Sequence, residues 1–370
     1  MKASSRRTLS KFILFAPALL LCWWTLRAIH VSDLWLVWGR LTPTRVALLV
    51  LANLAVLIAL SSRWWLFLVG QGYPVPFWRL LGYRIAAFAV SYFTPGPHFG
   101  GEPLQVYLVS KRHGVPTAVA IAAVTLDKVL EMVINFTVLI AAIGLVLQQQ
   151  VLTDALGQRA LYLALGVLLI PLLLLAALGA GRYPLSTLLH AVGRHPRLAR
   201  FRKAPPMLVR LTHWAQTIRA SEEQVIALWR TAPTLFMAAW LISVLSWGAL
   251  IGEFWYMTYA LGLGLSFPQA LMLLLAMRIA ILLPMPAGLG ALEASLALAT
   301  SALGLNPAAG LSLSLLIRLR DVTLGLVGLW LGGFALWHQA AVSLPAASEL
   351  PPEALAPPET AWQAESTGMV

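Results

Sequence analysis

The chain has 370 residues, of which 59% are apolar and only 11% are charged. Its mean hydropathy is +0.80, whereas a soluble surface needs far more charge. The composition therefore indicates an integral membrane protein and excludes a large soluble catalytic domain. The single cysteine, Cys22, excludes a disulfide framework and a cysteine-based zinc site. The sequence contains no Gly-Lys-Ser or Gly-Lys-Thr, so it lacks the phosphate-binding loop of ATPases. We expect no metal and no cofactor.

Six stretches are long and apolar enough to cross a bilayer, which takes about twenty residues each. They are Phe12–Ile29, Arg45–Val69, Pro116–Leu147, Ala160–Ala180, Pro233–Leu261 and Pro307–Trp337. The first follows four Lys or Arg residues and lacks a small-residue cleavage site, which predicts an uncleaved anchor with a cytoplasmic N-terminus. The stretch from Arg182 to Arg230 carries nine Lys or Arg residues against two acids, which indicates a cytoplasmic loop.

Two further apolar intervals are interrupted by proline and glycine, which end helices. The interval Phe77–Arg112 breaks at residues 94–101, and Pro268–Leu303 breaks at residues 284–290. The segments after the breaks, Glu102–Arg112 and Ala291–Leu303, are too short to span. We therefore predict two re-entrant hairpins, each of which enters and leaves on one side. A full span followed by a surface helix is the alternative.

Landmarks of the two halves coincide after a shift of 191 residues. The matching pairs are Pro95 and Pro286, Glu102 and Glu293, and Pro116 and Pro307. Because the two units begin on opposite sides of the membrane, they suggest the inverted repeats of secondary transporters, with chance coincidence of prolines as the alternative. The predicted fold is an all-α polytopic membrane protein with six transmembrane helices and two re-entrant helical hairpins in an inverted repeat.

The predicted organisation has five parts. Residues 1–44 hold the N-terminal anchor span and first external loop, and residues 45–147 form the first repeat. Residues 148–232 form a connecting span and the basic cytoplasmic loop, and residues 233–338 form the second, inverted repeat. Residues 339–370 are expected to be a disordered cytoplasmic tail, because they are rich in proline and glutamate.

Ionisable residues inside the predicted spans cost on the order of 3 kcal/mol each, so they must face a partner or water. Asp127 and Arg318 lie eleven residues after Pro116 and Pro307, about 16 Å deep and near the bilayer midplane. Salt bridges that only neutralise the helices are one interpretation, because Lys128 and Glu131, like Arg318 and Asp321, are three residues apart and can share a helix face. The other is a cationic cavity at mid-depth that is open to lipid headgroups.

In the second interpretation, cations and hairpin-tip glycines hold an anionic headgroup, because helix N-termini, Arg and Lys favour phosphate. The predicted headgroup-binding residues are Arg318, Arg320, Lys128, Arg84, Arg278, Gly100, Gly101, Gly288 and Gly290. The acids predicted to form a polar network or carry protons are Glu102, Asp127, Glu131, Glu293 and Asp321. Glu102 and Glu293 also have a structural interpretation, as first-turn acids that stabilise a helix start.

Each half contains a motif around its helix break. The first-half residues are Phe99-Gly100-Gly101-Glu102-Pro103, then Lys111-Arg112, then Thr125-Leu126-Asp127-Lys128 with Glu131. The second-half residues are Pro284, Pro286, Gly288-Leu289-Gly290, Glu293 and Arg318. These motifs resemble those of the lysylphosphatidylglycerol synthase transmembrane-region family, also called flippase-like membrane proteins, although Ala287 stands where a glycine is common.

This resemblance covers roughly Phe12 to Trp337. It implies a bacterial inner-membrane protein that moves a phospholipid, hopanoid or polyprenyl lipid between leaflets. Multidomain relatives also carry an aminoacyl-lipid synthase domain. About thirty residues follow Trp337 here, so we expect no such enzymatic activity.

The leading hypothesis is thus a lipid translocase that works downhill or is coupled to ions. Anionic lipid is an expected partner of the basic loop, and nucleic acid is not, because the sequence pI of about 10.4 follows from membrane orientation. One alternative is a membrane enzyme with a polyprenyl-linked substrate, although the predicted external loops contain no Asp-x-Asp pair. The other is a non-transporting scaffold for lipid-synthesis enzymes. The sequence does not distinguish the lipid classes or the oligomeric state.

Overall fold

A computed structural model describes residues 41–94, 100–148, 154–194, 205–282 and 290–342. The predicted anchor span Phe12–Ile29, residues 95–99 and 283–289 of the two hairpin tips and nearly all of the predicted tail lie outside these residues. Within the described residues the chain forms eleven α-helices and no strand, as the composition predicts.

In chain order the helices are α1 (Pro43–Gly70), α2 (Phe77–Phe93), α3 (Glu102–His113), α4 (Thr117–Gln148), α5 (Asp154–Gly179), α6 (Pro184–Arg194), α7 (Pro205–Thr231), α8 (Pro233–Ala260), α9 (Phe267–Leu282), α10 (Ala291–Ala302) and α11 (Pro307–Val342). Four described stretches are long and apolar enough to cross a membrane, and they lie in α1, α4, α5 and α8. Helix α11 has 36 residues, but charged side chains interrupt its apolar sequence. The chain is therefore a multi-pass helical membrane protein.

The helices of the two interrupted intervals are short. Helices α2 and α3 have 17 and 12 residues, and α9 and α10 have 16 and 12. These lengths correspond to roughly 18 to 26 Å, less than the bilayer core of about 30 Å. The two helices of each interval pack against each other. In the first pair a Cβ on Gly101 would overlap the Ala87 carbonyl oxygen, so only glycine allows this approach.

The order of helices repeats along the chain. The starts of the opening helix, the hairpin and the closing helix recur after 190 residues, at Pro43 and Pro233, Phe77 and Phe267, and Thr117 and Pro307. The contacts recur as well: α1 packs on α8, while α2 packs on α11 and α9 on α4. The hairpin of each half therefore lies against the closing helix of the other half.

Helices α1 and α8 run antiparallel. Asn53 Nδ2 in the first half of α1 donates to Glu253 Oε1 near the end of α8, at 3.0 Å. Arg63 Nη1, ten residues further along α1, donates to Ser243 Oγ, ten residues earlier in α8, at 3.1 Å. Advancing along one helix thus means going back along the other. The opening helices of the two halves point in opposite directions.

In its described residues, 182–194 and 205–230, the basic stretch after α5 is mainly helical and packed rather than an open loop. It forms α6 and α7, and α7 packs on α4 as well as on α6. Glu222 of α7 accepts the backbone N–H groups of Leu185 and Ser186 at 2.7 and 3.2 Å. This carboxylate satisfies amide donors that a helix start leaves without partners. The two basic helices are thereby joined.

Glycines of α11 bring it close to α2. Gly325, Gly328 and Gly332 are three and four residues apart, so they share one helix face. A Cβ on Gly328 would overlap the Ile85 carbonyl oxygen, and one on Gly332 would lie 3.2 Å from Ala86 Cβ. Small residues at a contact allow the close helix packing on which association inside a membrane depends.

We expect Gly328→Ala to lower stability, because the added methyl group must push α2 and α11 apart, at about 1–3 kcal/mol. Gly333→Ala is the matched control, since a Cβ there meets no atom within 4 Å. It should raise stability by up to about 1 kcal/mol, because alanine favours a helix over glycine. Thermal unfolding of both purified variants in one detergent measures the difference; a Gly328→Ala midpoint at or above that of the parent protein contradicts the α2–α11 contact.

Candidate functional site

Charged side chains from both halves gather inside the helix bundle in two groups. The first ion network consists of Arg63 of α1, Arg84 of α2, Glu102 of α3, and Asp127, Lys128 and Glu131 of α4. The second ion network consists of Glu253 of α8, Glu293 of α10, and Arg318, Arg320 and Asp321 of α11.

Asp127 is the centre of the first ion network. Its Oδ1 lies 2.6 Å from Arg63 Nε, and its Oδ2 lies 2.9 Å from Arg84 Nη2. Glu131 Oε2 lies 3.6 and 3.8 Å from the same two guanidinium groups. The Arg63 side chain is 0% exposed, so its charge depends on these acids rather than on water. The pairs join α1, α2 and α4 at one point.

Lys128 connects the first hairpin to the closing helix of its half. Its Nζ lies 3.2 Å from Glu102 Oε1 and 3.3 Å from Glu131 Oε2. Glu102 also accepts the Gly100 N–H at 2.9 Å, next to the start of α3. The helix-start role and the network role considered for Glu102 therefore occur on the same carboxylate.

The second half contains the equivalent connection. Arg318 Nε donates to Glu293 Oε1, so a first-turn acid of the hairpin again binds a cation of the closing helix. Arg318 follows Lys128 by 190 residues, and Glu293 follows Glu102 by 191 residues. The repeat predicted from sequence landmarks thus coincides with a repeat of ion pairs.

Arg320 organises the remainder of the second ion network. Its Nη1 lies 3.1 Å from Glu253 Oε1, and its Nε donates to Asp321 Oδ1 at 2.8 Å. The spacing in the sequence suggests Asp321 as a partner for Arg318, but the structure places it on its neighbour Arg320. Glu253, which sequence reasoning leaves without a role, also binds Asn53 and so joins α1, α8 and α11.

Besides Glu253, three partners in these networks are absent from the sequence prediction: Arg63, Asn53 and Ser243. Arg63 offered a signal, because it is a charge inside the predicted span Arg45–Val69 and lies 190 residues before Glu253. The two residues occupy equivalent positions with opposite charges, and each binds the closing helix of its own half. Asn53 and Ser243 are also 190 residues apart, and each binds the charged residue of the other half. Neutral polar residues such as these give no sequence signal.

Each network combines a fully buried cation with a partly exposed carboxylate. Arg63 and Arg318 are 0% and 2% exposed, whereas Glu131 and Glu293 are 34% and 31% exposed. The partly exposed side chains are still ion-paired, so they can exchange partners with a polar group that reaches them. The buried ones hold the helices together.

The charges in this region are balanced. The two networks and Arg278 of α9 together contain six cations and six acids. These residues therefore form a neutral site rather than the predicted cationic cavity. An anionic group has to displace a carboxylate before it can bind a cation of either network. In the described part of the chain, no group of three or more His, Cys, Asp or Glu side chains could hold a metal.

The glycines predicted to bind a headgroup have different surroundings. The Gly100 N–H donates to Glu102, and the Gly101 N–H donates to Ser91 Oγ at 2.9 Å. Gly290 precedes α10 with a φ of 76° and an exposed surface, while Gly288 lies outside the described residues. Headgroup binding by these glycines stays a prediction.

The fold and the site define a class of protein: a polytopic helical membrane protein whose helices are joined by intramembrane ion pairs. The chain matches the family model described as Lysylphosphatidylglycerol synthase TM region over residues 9–328. It therefore belongs to this family, as the resemblance of its hairpin motifs implies. No curated protein and no solved structure matches the chain.

We expect Asp127→Asn to destabilise the protein by about 3–5 kcal/mol, because two buried guanidinium groups lose their central carboxylate. Glu223→Gln is the control. It removes an acid from a pair with Arg219 that is 3.4 Å long and about half exposed, worth about 0–1 kcal/mol. Thermal unfolding in one detergent measures both variants. Equal midpoints for Asp127→Asn and Glu223→Gln contradict the central position of Asp127.

Proposed function

We propose that this protein moves a polar-headed, anionic membrane lipid between leaflets, without ATP hydrolysis and without enzymatic chemistry. The supporting observation is that each half holds an ion network inside the bundle with a partly exposed carboxylate, and that Asn53 and Ser243 join each network to the opposite half. Stability alone does not require them, because apolar residues often replace buried ion pairs without loss. Charges inside a membrane usually mark the path of a polar or ionic group.

The proposed arrangement is six transmembrane helices and two re-entrant hairpins in an inverted repeat. Three observations support it: the repeated order of helices, the short hairpin helices and the antiparallel contact of α1 with α8. In transporters of this plan the substrate site lies where the repeats meet. We propose that the protein lies in a bacterial inner membrane with both termini in the cytoplasm, a position that the basic residues of α6 and α7 favour, and that these helices also bind anionic lipid.

The proposed mechanism is an exchange of ion-pair partners. The headgroup enters from one leaflet and displaces a partly exposed carboxylate, Glu131 or Glu293, from its cation. The displaced acid takes up a proton, because a carboxylate without a cation is unstable away from water. The site stays neutral throughout, while the lipid chains remain in the bilayer. When the lipid is released into the other leaflet, the acid gives up its proton and the original ion pair forms again.

Leaflet exchange of fluorescent lipids in reconstituted vesicles tests the proposal. We expect fluorescent phosphatidylglycerol to cross faster with the protein than in protein-free vesicles. The double variant Arg318→Gln and Glu293→Gln keeps a neutral hydrogen-bonding pair but removes the charge exchange. It should slow exchange about tenfold or more, the effect of losing a contact worth ~1.5–3 kcal/mol.

The control for this experiment is Arg159→Gln, which removes an exposed cation at the start of α5. It should leave the exchange rate unchanged. Elution as a single folded species confirms that each variant was reconstituted intact. Wild-type rates equal to those of protein-free vesicles, for phospholipid, hopanoid and polyprenyl lipids alike, contradict the proposed function.

A further inference from the structure

Arg278 of α9 differs from the five cations of the two ion networks. Each of those five has a carboxylate within 4 Å. Among the described residues Arg278 has no such carboxylate, and its buried Nε has no hydrogen-bond partner there. Its guanidinium lies over the ring of Trp247, with Cζ 4.6 Å from the ring centroid. A ring face stabilises the charge but leaves the N–H donors at the guanidinium edge available.

Arg278 is within electrostatic reach of both networks. Glu131 of the first network and Asp321 and Glu253 of the second attract its charge, and Arg320 repels it. All three acids are already bound to nearer cations. An anion can therefore bind Arg278 without first breaking an ion pair, which no cation of either network allows.

The surroundings of Arg278 contain a small cavity at the junction of α4, α8 and α9. It measures about 10 Å³ and is bordered by Arg278, Trp247 and Asn135, together with apolar side chains. This volume holds roughly one water molecule. The equivalent contact in the other half, between α2 and α11, is closed by glycines such as Gly328. The α4–α9 contact is thus the looser of the two.

We propose that Arg278 is the group that first binds the phosphate of the lipid headgroup, before any ion pair is exchanged. Trp247 holds the guanidinium plane of Arg278. Two N–H groups at the guanidinium edge then bind two phosphate oxygens, a geometry that lysine cannot reproduce. Asn135 supplies a further amide donor on the α4 side. Because the cavity is smaller than a phosphate, α9 has to move away from α4 on binding. This inference rests on the proposed translocase function and names its first contact.

The test measures binding of soluble, short-chain phosphatidylglycerol to the purified full-length protein in detergent, by titration calorimetry. We expect Arg278→Gln to weaken binding about tenfold or more, since a charge-assisted contact of ~1.5–3 kcal/mol is lost. Arg278→Lys should bind with intermediate affinity, because it keeps the charge and loses the two guanidinium N–H groups. Arg159→Gln should bind like the wild type. Unchanged affinity in Arg278→Gln overturns the proposal.

Further ligands identify the source of the phosphate. Short-chain phosphatidylcholine carries the same phosphate diester and should also depend on Arg278. Inorganic phosphate should bind much more weakly than the lipids; equal affinity overturns the assignment to a lipid headgroup. Because Arg278 binds no described acid, Arg278→Gln should fold normally. If Arg278→Gln does not fold, the Arg278→Lys variant provides the test. Wild-type affinity in Arg278→Lys contradicts the proposed binding of phosphate by two guanidinium N–H groups.

The two proposals fail in different ways. If the wild type exchanges lipids and Arg278→Gln binds and exchanges them equally well, the Arg278 assignment fails and the translocase function stands. If the wild type exchanges no lipid but loses binding on Arg278→Gln, the binding site stands and the translocase function fails.

Discussion

A buried charge in a membrane needs an opposite charge, a polar group, an aromatic face or water beside it, and this constraint determines how the charged helices of the protein are arranged. Arg63 is completely buried, and its charge is stabilised only if α4 brings Asp127 to it. Asp127 in turn requires Arg84, which fixes α2 against the same helix. Apolar contacts in a bilayer give little specificity to helix association, because lipid tails are as apolar as leucine. The ion pairs specify which helices meet and at which depth.

The second half satisfies the same constraint with the acid and the cation exchanged between its opening and closing helices. There the opening helix supplies the acid, Glu253, and the closing helix supplies the cation, Arg320. One half therefore has Arg on its opening helix and Asp on its closing helix, and the other has the opposite arrangement. The two units keep the same architecture while their charges differ. The polar residues Asn53 and Ser243 then join each charge to the opposite half.

Sequence reasoning predicts the elements well because helix length and helix breaks are local properties. The spans that contain α1, α4, α5 and α8 and the short hairpin helices follow directly from apolar runs and from proline and glycine. Resemblance of the motif around Gly101 and Glu102 to known sequences identifies the family. Even the pairing of Lys128 with Glu131 follows, since residues three apart share a helix face.

The partners across helices could not be predicted in this way. Spacing favours Asp321 beside Arg318, but only the packing of α8 and α10 shows that Glu253 binds Arg320 and Glu293 binds Arg318. The neutrality of the site could not be predicted for the same reason. Counting cations at mid-depth suggests a cationic cavity, whereas the acids that balance them come from other helices. The stacking of Arg278 on Trp247 is likewise a contact between distant segments.

Disulfide cross-linking of α1 to α8 tests most directly whether the opening helices of the two halves run in opposite directions. In a Cys22→Ser background, Gly70→Cys at the end of α1 should form a disulfide with Leu235→Cys near the start of α8, because the structure places these residues in contact. Gly70→Cys should not form one with Ala260→Cys, at the other end of α8. Mild oxidation in native membranes, followed by mass spectrometry of the linked peptides, gives the answer. Cross-linking of the 70–260 pair in place of the 70–235 pair would show parallel halves and contradict the account.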